Sequence, residues 1–130
     1  MNRIKLETHQ GIDTALCGRV TALEEGYARV LLHTTRAMQA DAKGLVHGGF
    51  LFGAADYAAM AAVNDPHVVL GAAEVRFLAP VRKAEAVTFE ARVTVEKGKR
   101  RRVEVAGSVE GRRVFQGSFD AFVLEKHVLD

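Results

Sequence analysis

Residues 44–64 read Gly44-Leu-Val-His47-Gly48-Gly49-Phe50-Leu-Phe-Gly-Ala-Ala-Asp56-Tyr-Ala-Ala-Met-Ala-Ala-Val-Asn64. From Gly49 to Asn64, alanine, Leu, Met and Phe dominate and no proline interrupts. These residues favour helix, and about 15 of them span about 22 Å. The apolar positions run nearly all round the cylinder. Such a helix is buried on most of its circumference rather than laid on a surface. Asn64-Asp65-Pro66 ends it, because the residue before a proline is pushed out of the helical region.

The flanking sequence has a different texture. Residues 1–12 are a polar lead-in of uncertain structure. Residues 14–23 read as a strand, Glu24-Glu25-Gly26 as a turn, and Tyr27 to His33 as the hairpin partner. Residues 34–46 lack periodicity and read as a loop. After the helix come four strand-like runs: His67 to Leu78, Ala86 to Glu96, Arg102 to Glu110 and Val114 to Leu124. Alternation is clear in Val87-Phe89-Ala91-Val93-Val95 and in Val103-Val105-Gly107-Val109. Gly98 and Glu110-Gly111-Arg112-Arg113 read as hairpin turns. The order β-β-α-β-β-β-β has consecutive strands after one helix. That predicts an α+β domain with an antiparallel sheet curled around the helix.

Composition bounds the function. The 130 residues are 48% hydrophobic and 26% charged, one ordinary globular domain over 1–130. One cysteine, Cys17, excludes a disulfide framework and a Cys-based zinc site. It reads as a small buried residue, not a nucleophile. His9, His33, His67 and His127 show no metal spacing. A net charge of +2 is too small to argue for nucleic acid. Residues 1–10 lack the apolar stretch of a signal peptide. The run Phe50 to Val63 falls short of the roughly 20 residues that span a bilayer. The expectation is a cytoplasmic protein with no membrane or nucleic-acid partner.

Chemistry concentrates in Gly44 to Asp56. Glycines at a helix start let a ligand approach the backbone closely. The first N–H groups of a helix have no partner within it, and its dipole favours negative charge there. Gly48 and Gly49 therefore suit a carbonyl oxygen gaining charge during acyl transfer. They equally suit a tight turn. Asp56 is a carboxylate on an otherwise apolar helix, costly unless it has a partner or a job. It reads as a base or nucleophile, or else as a structurally hydrogen-bonded acid. His47 either shapes the loop or transfers a proton. Asp56 lies about 11–12 Å along the helix from Gly48. Both act on one substrate only if Asp56 comes from a second subunit.

The basic run Lys97-Gly98-Lys99-Arg100-Arg101-Arg102 reads as a solvated hairpin tip or as a clamp for phosphates. Nucleic acid is the weakest reading, without aromatic interleaving. Arg76 and Arg82 are further phosphate candidates. Phe50 and Phe77 are core or acyl-channel lining.

These residues resemble the hotdog-fold acyl-CoA thioesterases, in the branch typified by the thioesterase of phenylacetate degradation. Its motif looks like Gly-x-x-His-Gly-Gly, six residues, then Asp, met here by Gly44, His47, Gly48, Gly49 and Asp56. Phe77-Leu78-Ala79-Pro80 looks like the family's Phe-Leu-x-Pro. The resemblance covers roughly residues 13–124. It implies a sheet wrapped around one long helix, assembled as a dimer or a dimer of dimers. It implies an acyl-CoA or acyl-carrier-protein substrate at the dimer interface, hydrolysed to free acid and thiol without metal or redox cofactor. Coenzyme A is then part of the substrate. By the same analogy the Gly48 N–H polarises the thioester carbonyl, His47 shapes the loop, and Asp56 of the other subunit is the base or nucleophile. Three positions depart from the pattern: Asp41 for Asn, Leu70 for Ser or Thr, and Ala84-Glu85 for Gly-Asp. Residues 68–123 also look like the effector domain of the malonyl-CoA-responsive repressor of fatty-acid synthesis. That domain binds acyl-CoA without hydrolysing it, so a non-catalytic sensor or regulator is the rival expectation. Hotdog dehydratases are disfavoured, because their His-bearing helix motif is absent.

Overall fold

The computed structural model describes residues 4–130. A short helix, α1 (Thr14–Cys17), precedes β1 (Arg19–Glu24) and β2 (Tyr27–His33). A 3-10 turn (Arg36–Met38) leads to the long helix α2 (Gly48–Val63). Then follow β3 (Val68–Phe77), β4 (Ala86–Lys97), β5 (Arg100–Val109) and β6 (Arg112–Val123). The strands form one six-stranded sheet in the order β1-β2-β4-β5-β6-β3, every neighbouring pair antiparallel. Helix α2 contacts all six strands, so the sheet wraps it as expected.

The composition of α2 explains that position. Its alanines Ala54, Ala55, Ala58, Ala59, Ala61 and Ala62 are buried, with Leu51, Tyr57 and Met60. Small side chains let the strands approach the helix closely. The sheet supplies the bulk from its inner face, with Phe89, Phe115 and Phe119 fully buried. Each such ring contributes about 1.5–3 kcal/mol by leaving water. The helix ends at Asn64, which is left-handed (φ 53°). The Asn64 side chain also ties down the lead-in: its Oδ1 accepts from Glu7 N (2.7 Å) and its Nδ2 donates to Lys5 O (2.8 Å).

Four boundaries correct the sequence reading. Residues 14–23 are not one strand. Asp13 caps α1 by accepting from Ala15 N, and Gly18 (φ 84°) redirects the chain into β1. A Cβ at Gly18 would sit 2.8 Å from Leu31 O, so only glycine fits there. Helix α2 starts one residue earlier than expected, at Gly48. The β4–β5 turn is only Gly98-Lys99, since Lys97 already pairs with Arg100. The β5–β6 turn is Glu110-Gly111, both at positive φ, with Arg112 already in β6. Cys17 is partly exposed rather than buried.

Strand β3 is the edge that matters for the site. Phe77 is 52% exposed, and Leu78 just beyond the strand is 48% exposed. Edge strands with bare apolar side chains are normally covered. No helix of the described residues is long and apolar enough to cross a membrane.

Candidate functional site

The motif loop is clamped from both sides. Asp41 Oδ1 accepts from Lys43 N (2.9 Å) and Leu45 N (3.3 Å), folding the loop onto itself. Gly44 takes a positive φ of 83°. Val46 N donates to Val81 O, and Lys83 N to Gly44 O, both at 2.8 Å. Leu45 bridges to Arg82. The segment after β3 is thereby bound to the loop before α2, and Arg82 stands beside the motif. Asp41, the departure from the family's Asn, is thus a loop cap.

His47 is the N-cap of α2 but makes no side-chain cap bond. Its backbone N donates to Met38 O (2.8 Å), and its exposed ring meets Phe50 edge-on at 6.1 Å. The N–H groups of Gly48 and Gly49 carry no hydrogen bond among the described residues. They are the free donors of the helix start. Phe77 lies over Gly48: a Cβ there would sit 3.2 Å from the ring. The ring of Phe77 rests in turn on Phe115, 5.4 Å away. A methyl at Gly48 would therefore press on the Phe77 ring.

Gly49, Phe52, Gly53 and Asp56, three and four apart, share one stripe of α2. None of them is fully buried, unlike the alanines beside them. A Cβ on Gly53 would meet nothing within 4 Å, so space is open one turn before Asp56. Phe52 packs on Phe119 at 5.6 Å. Asp56 Oδ1 is buried and has no hydrogen-bond partner among the described residues. Burial pushes the Asp56 carboxyl up from its ordinary value to about 6. Buried polar atoms are almost always paired, so an orphaned carboxylate oxygen marks a site awaiting something. The Cys17 thiol is pushed up by its own burial and then by Asp13 and Asp56 nearby. It is held as a thiol, not a thiolate.

The structure brings together Gly48, Gly49, His47, Phe50, Phe77 and Arg82 at one end of the sheet. It separates the rest. Asp56 is about 12 Å along α2 from Gly48. Arg76 faces outward, in a groove with Glu74 and Gln116 on the side of the sheet away from α2. Lys99, Arg100 and Arg101 lie at the far end of the sheet. Arg100 pairs with Phe122 of β6 and Val68 with Val123, whereas Phe77 pairs with Phe115. Nine residues of strand make that separation about 30 Å. Two of these arginines already have partners: Arg100 with Asp120 (3.2 Å) and Arg101 with Glu96 (3.1 Å).

Gln39 is the residue the sequence did not reveal. It bridges to Val46, next to the motif His, and its buried Oε1 has no partner among the described residues. No local pattern announces it, because its position depends on how the loop pairs with itself. Among the described residues, no three His, Cys, Asp or Glu side chains converge as a metal-binding group.

Comparison with known proteins fits this geometry. The Thioesterase superfamily matches residues 43–115, more than half the chain. An uncharacterized protein of Pyrococcus horikoshii has a solved structure 48% identical to this chain, covering 100% of both chains with a TM-score of 0.98. The PaaI protein of the E. coli phenylacetic acid degradation operon, at 24% identity, shares the fold with a TM-score of 0.77 over 84% of this chain and 85% of that one. A methylthioribose-1-phosphate isomerase of Aquifex aeolicus is 50% identical over 88% of this chain, but only 25% of that protein is covered. The transcription factor FapR of Bacillus velezensis is 34% identical over 81% of this chain and 57% of its own length. The chain thus spans a quarter to just over half of these two relatives. With its sheet, its central helix and the matched motif in place, the chain belongs to the thioesterase superfamily and has the hotdog fold.

Proposed function

We propose that the chain hydrolyses acyl-CoA thioesters in the cytoplasm, at a site shared between two copies of itself. The observation that carries this reading is Asp56, whose buried Oδ1 has no hydrogen-bond partner among the described residues, on the same stripe of α2 as the open position Gly53. The free N–H groups of Gly48 and Gly49 supply the complementary half. They receive the thioester oxygen as it gains charge. Asp56 takes a proton from water, and the resulting hydroxide adds to the carbonyl carbon. The carbon–sulfur bond then breaks, the thiolate takes up the proton, and free acid and coenzyme A leave. Attack by the carboxylate itself, followed by hydrolysis of the anhydride, uses the same two groups.

Reach requires the second copy, because Gly48 and Asp56 of one chain are about 12 Å apart. The exposed β3 edge supports where it docks. If two β3 strands pair antiparallel, the far end of one sheet is carried toward the Phe77 end of the other. That brings the partner's Lys99, Arg100 and Arg101 toward the motif loop, where Arg82 already stands. A nucleotide phosphate there meets cations from both copies. Phe50 and Phe77 then line the acyl path. Arg76 has no part in it, since it faces the other side of the sheet.

A second reading is supported by the 34% identity to a transcription factor: an acyl-CoA sensor that binds without turnover. Leu70 in place of Ser or Thr, and Asp41 in place of Asn, the departures from the thioesterase pattern, favour it. Thiol release from short, long and aromatic acyl-CoAs, with native protein and Asp56→Ala side by side, decides between them. Turnover abolished by the substitution is the expected result. Saturable binding without turnover of any substrate would favour the sensor.

A further inference from the structure

The loop between β2 and α2 holds a carboxamide that the fold leaves unused. Gln39 follows the 3-10 turn and faces Val46 across an isolated antiparallel bridge. Hydrogen bonds flank the pair: His47 N donates to Met38 O (2.8 Å), and Ala40 N to Leu45 O (2.6 Å). In such a pair the two side chains stand on one side of the ladder, with Cα atoms about 4.5 Å apart. Val46 is buried, and so is Met38 beside Gln39, so the backbone here is held from both directions. The Gln39 side chain is not. Its Oε1 is buried without a partner among the described residues, while the residue as a whole is partly exposed. The amide therefore runs from a closed end to an open one.

Neighbouring polar groups in the loop show the contrast. Asp41 Oδ1 accepts from Lys43 N and Leu45 N, and the Thr34 hydroxyl reaches Arg82 O (3.2 Å) and Glu85 O (2.6 Å). Both side chains serve the loop. A buried amide oxygen without a donor costs stability, and an apolar side chain of the same length, such as Met, escapes that cost. A polar group kept at a loss beside a site points to a ligand.

Position and chemistry select the ligand. Val46 precedes Gly48 by two residues. Extended chain advances about 3.3 Å per residue, which puts the Gln39 backbone about 8 Å from the Gly48 N–H. A glutamine side chain spans most of that distance. Arg82, bridged to Leu45, comes next along the same loop. In the hydrolase reading the thioester oxygen rests on Gly48 and Gly49, and a nucleotide phosphate lies at Arg82. The order along the loop is then N–H donors, amide, cation. Along a coenzyme A thioester the order is carbonyl, amide, phosphate, with the first amide two methylenes beyond the sulfur. The acyl chain offers a carboxamide nothing to bond, and Phe50 and Phe77 suit it better. A secondary amide both donates and accepts, so it complements either end of the Gln39 side chain. We propose that the Gln39 carboxamide hydrogen-bonds the first amide of the coenzyme A arm, and so selects that arm over a plain thiol. The contact rests on the thioester reading of the site, and adds to it the residue that reads the leaving group.

Gln39→Met in the full-length protein tests it, because Met keeps the length and removes both polar ends. One acyl group is offered on three thiols: coenzyme A, N-acetylcysteamine, which keeps the first amide, and ethanethiol, which has none. The ratio of kcat/KM on the N-acetylcysteamine thioester to that on the ethanethiol thioester is expected to fall about 5–15-fold, the worth of one hydrogen bond. The ratio for the coenzyme A thioester should fall alike. Urea unfolding of the variant is expected at a higher midpoint than native, since the unpaired buried oxygen is gone. An unchanged ratio would overturn the proposal. A lower midpoint with equal losses on all three thioesters would also overturn it, and make Gln39 a structural residue. Calorimetry reads the same contact without turnover. Coenzyme A should bind the variant more weakly by the same factor, and its adenosine bisphosphate half, which lacks the arm, equally well. If the native protein hydrolyses none of the three yet the variant shows that loss of affinity, the thioesterase reading fails and the amide contact stands. Equal affinity of native and variant for coenzyme A would overturn the contact itself.

Discussion

The two ends of the sheet were equally conspicuous as sequence, one through His47-Gly48-Gly49 and the other through Lys97 to Arg102. Folding treats them oppositely. At the motif end, valences stay open: two helix N–H groups lack acceptors, and on the helix they begin, one Asp56 oxygen is buried without a donor. At the basic end they are spent: Arg100 and Arg102 hold Asp120, and Arg101 holds Glu96 and the Gly98 carbonyl. Unusual residue types nominate a site, but what remains unpaired after folding selects among the nominees.

The largest effect expected from breaking that contrast is at Asp56. Asp56→Ala and Asp56→Asn should each lower the rate of thiol release by about 10²–10⁴-fold, the usual worth of a positioned acid–base group. Asn keeps the shape and removes only the base. Equal and small losses in both would return Asp56 to a structural role. The pH profile should show the same group. Because the active form is the carboxylate and its pKa is about 6, kcat should fall about tenfold per pH unit below that value and level off above it. A profile flat from pH 4.5 to 8 would exclude it.

Gly48→Ala sharpens the other half of the motif. The new methyl meets the Phe77 ring at 3.2 Å, so the ring must shift on an exposed edge. The N–H donor remains. Turnover should fall about 5–10-fold, with recovery when Phe77→Leu makes room. No recovery would mean that the glycine serves the backbone and not the ring.

How much of this was legible follows from range. Helix α2 and five of the six strands are legible in the local sequence pattern, and Gly48, Gly49 and Asp56 in their spacing on one helix. Gln39, by contrast, earns its place from a bridge to Val46 that no local pattern encodes. The short α1 was hidden because Leu16 and Val20 mimic strand alternation, while Asp13 and Gly18 decide the geometry. The direction of Arg76 is hidden for a different reason. Alternation says that its face is opposite to that of its neighbours, but only strand order says which face looks at α2. The basic run had the same weakness: its charge was visible, and its carboxylate partners Asp120 and Glu96 were not.

Stability gives a smaller, independent reading of Asp56. Its carboxyl binds a proton more tightly folded than unfolded, since burial raises the folded pKa from 3.8 to about 6. Between those values the native state holds more protons, so this group's contribution falls as pH rises through the window and is fully lost above it. Asp56→Asn removes that penalty. It should raise stability at pH 8 by about 1–3 kcal/mol and change little at pH 3.5, measured by urea unfolding. A variant equally stabilised at both pH values would mean that packing, not charge, is the cause.

The smallest effect belongs to the satisfied end. Lys99→Ala, Arg100→Ala and Arg101→Ala together remove ion pairs that are exposed on at least one side, each worth about 0–1 kcal/mol. The fold should therefore barely notice. Any functional loss must come from a ligand, and only one long enough to reach from the motif loop to a partner's turn. KM for an acyl-CoA should rise about 3-fold with kcat unchanged, and the rise should shrink in high salt as screening removes the attraction. Hydrolysis of a short acyl thioester lacking the nucleotide should be unaffected. Equal losses on both substrates would make the turn a remote structural element. No loss on either would leave it a solvated hairpin tip, and the phosphates would then fall to Arg82, whose backbone bridges to Leu45 of the motif loop and which has no ion pair among the described residues.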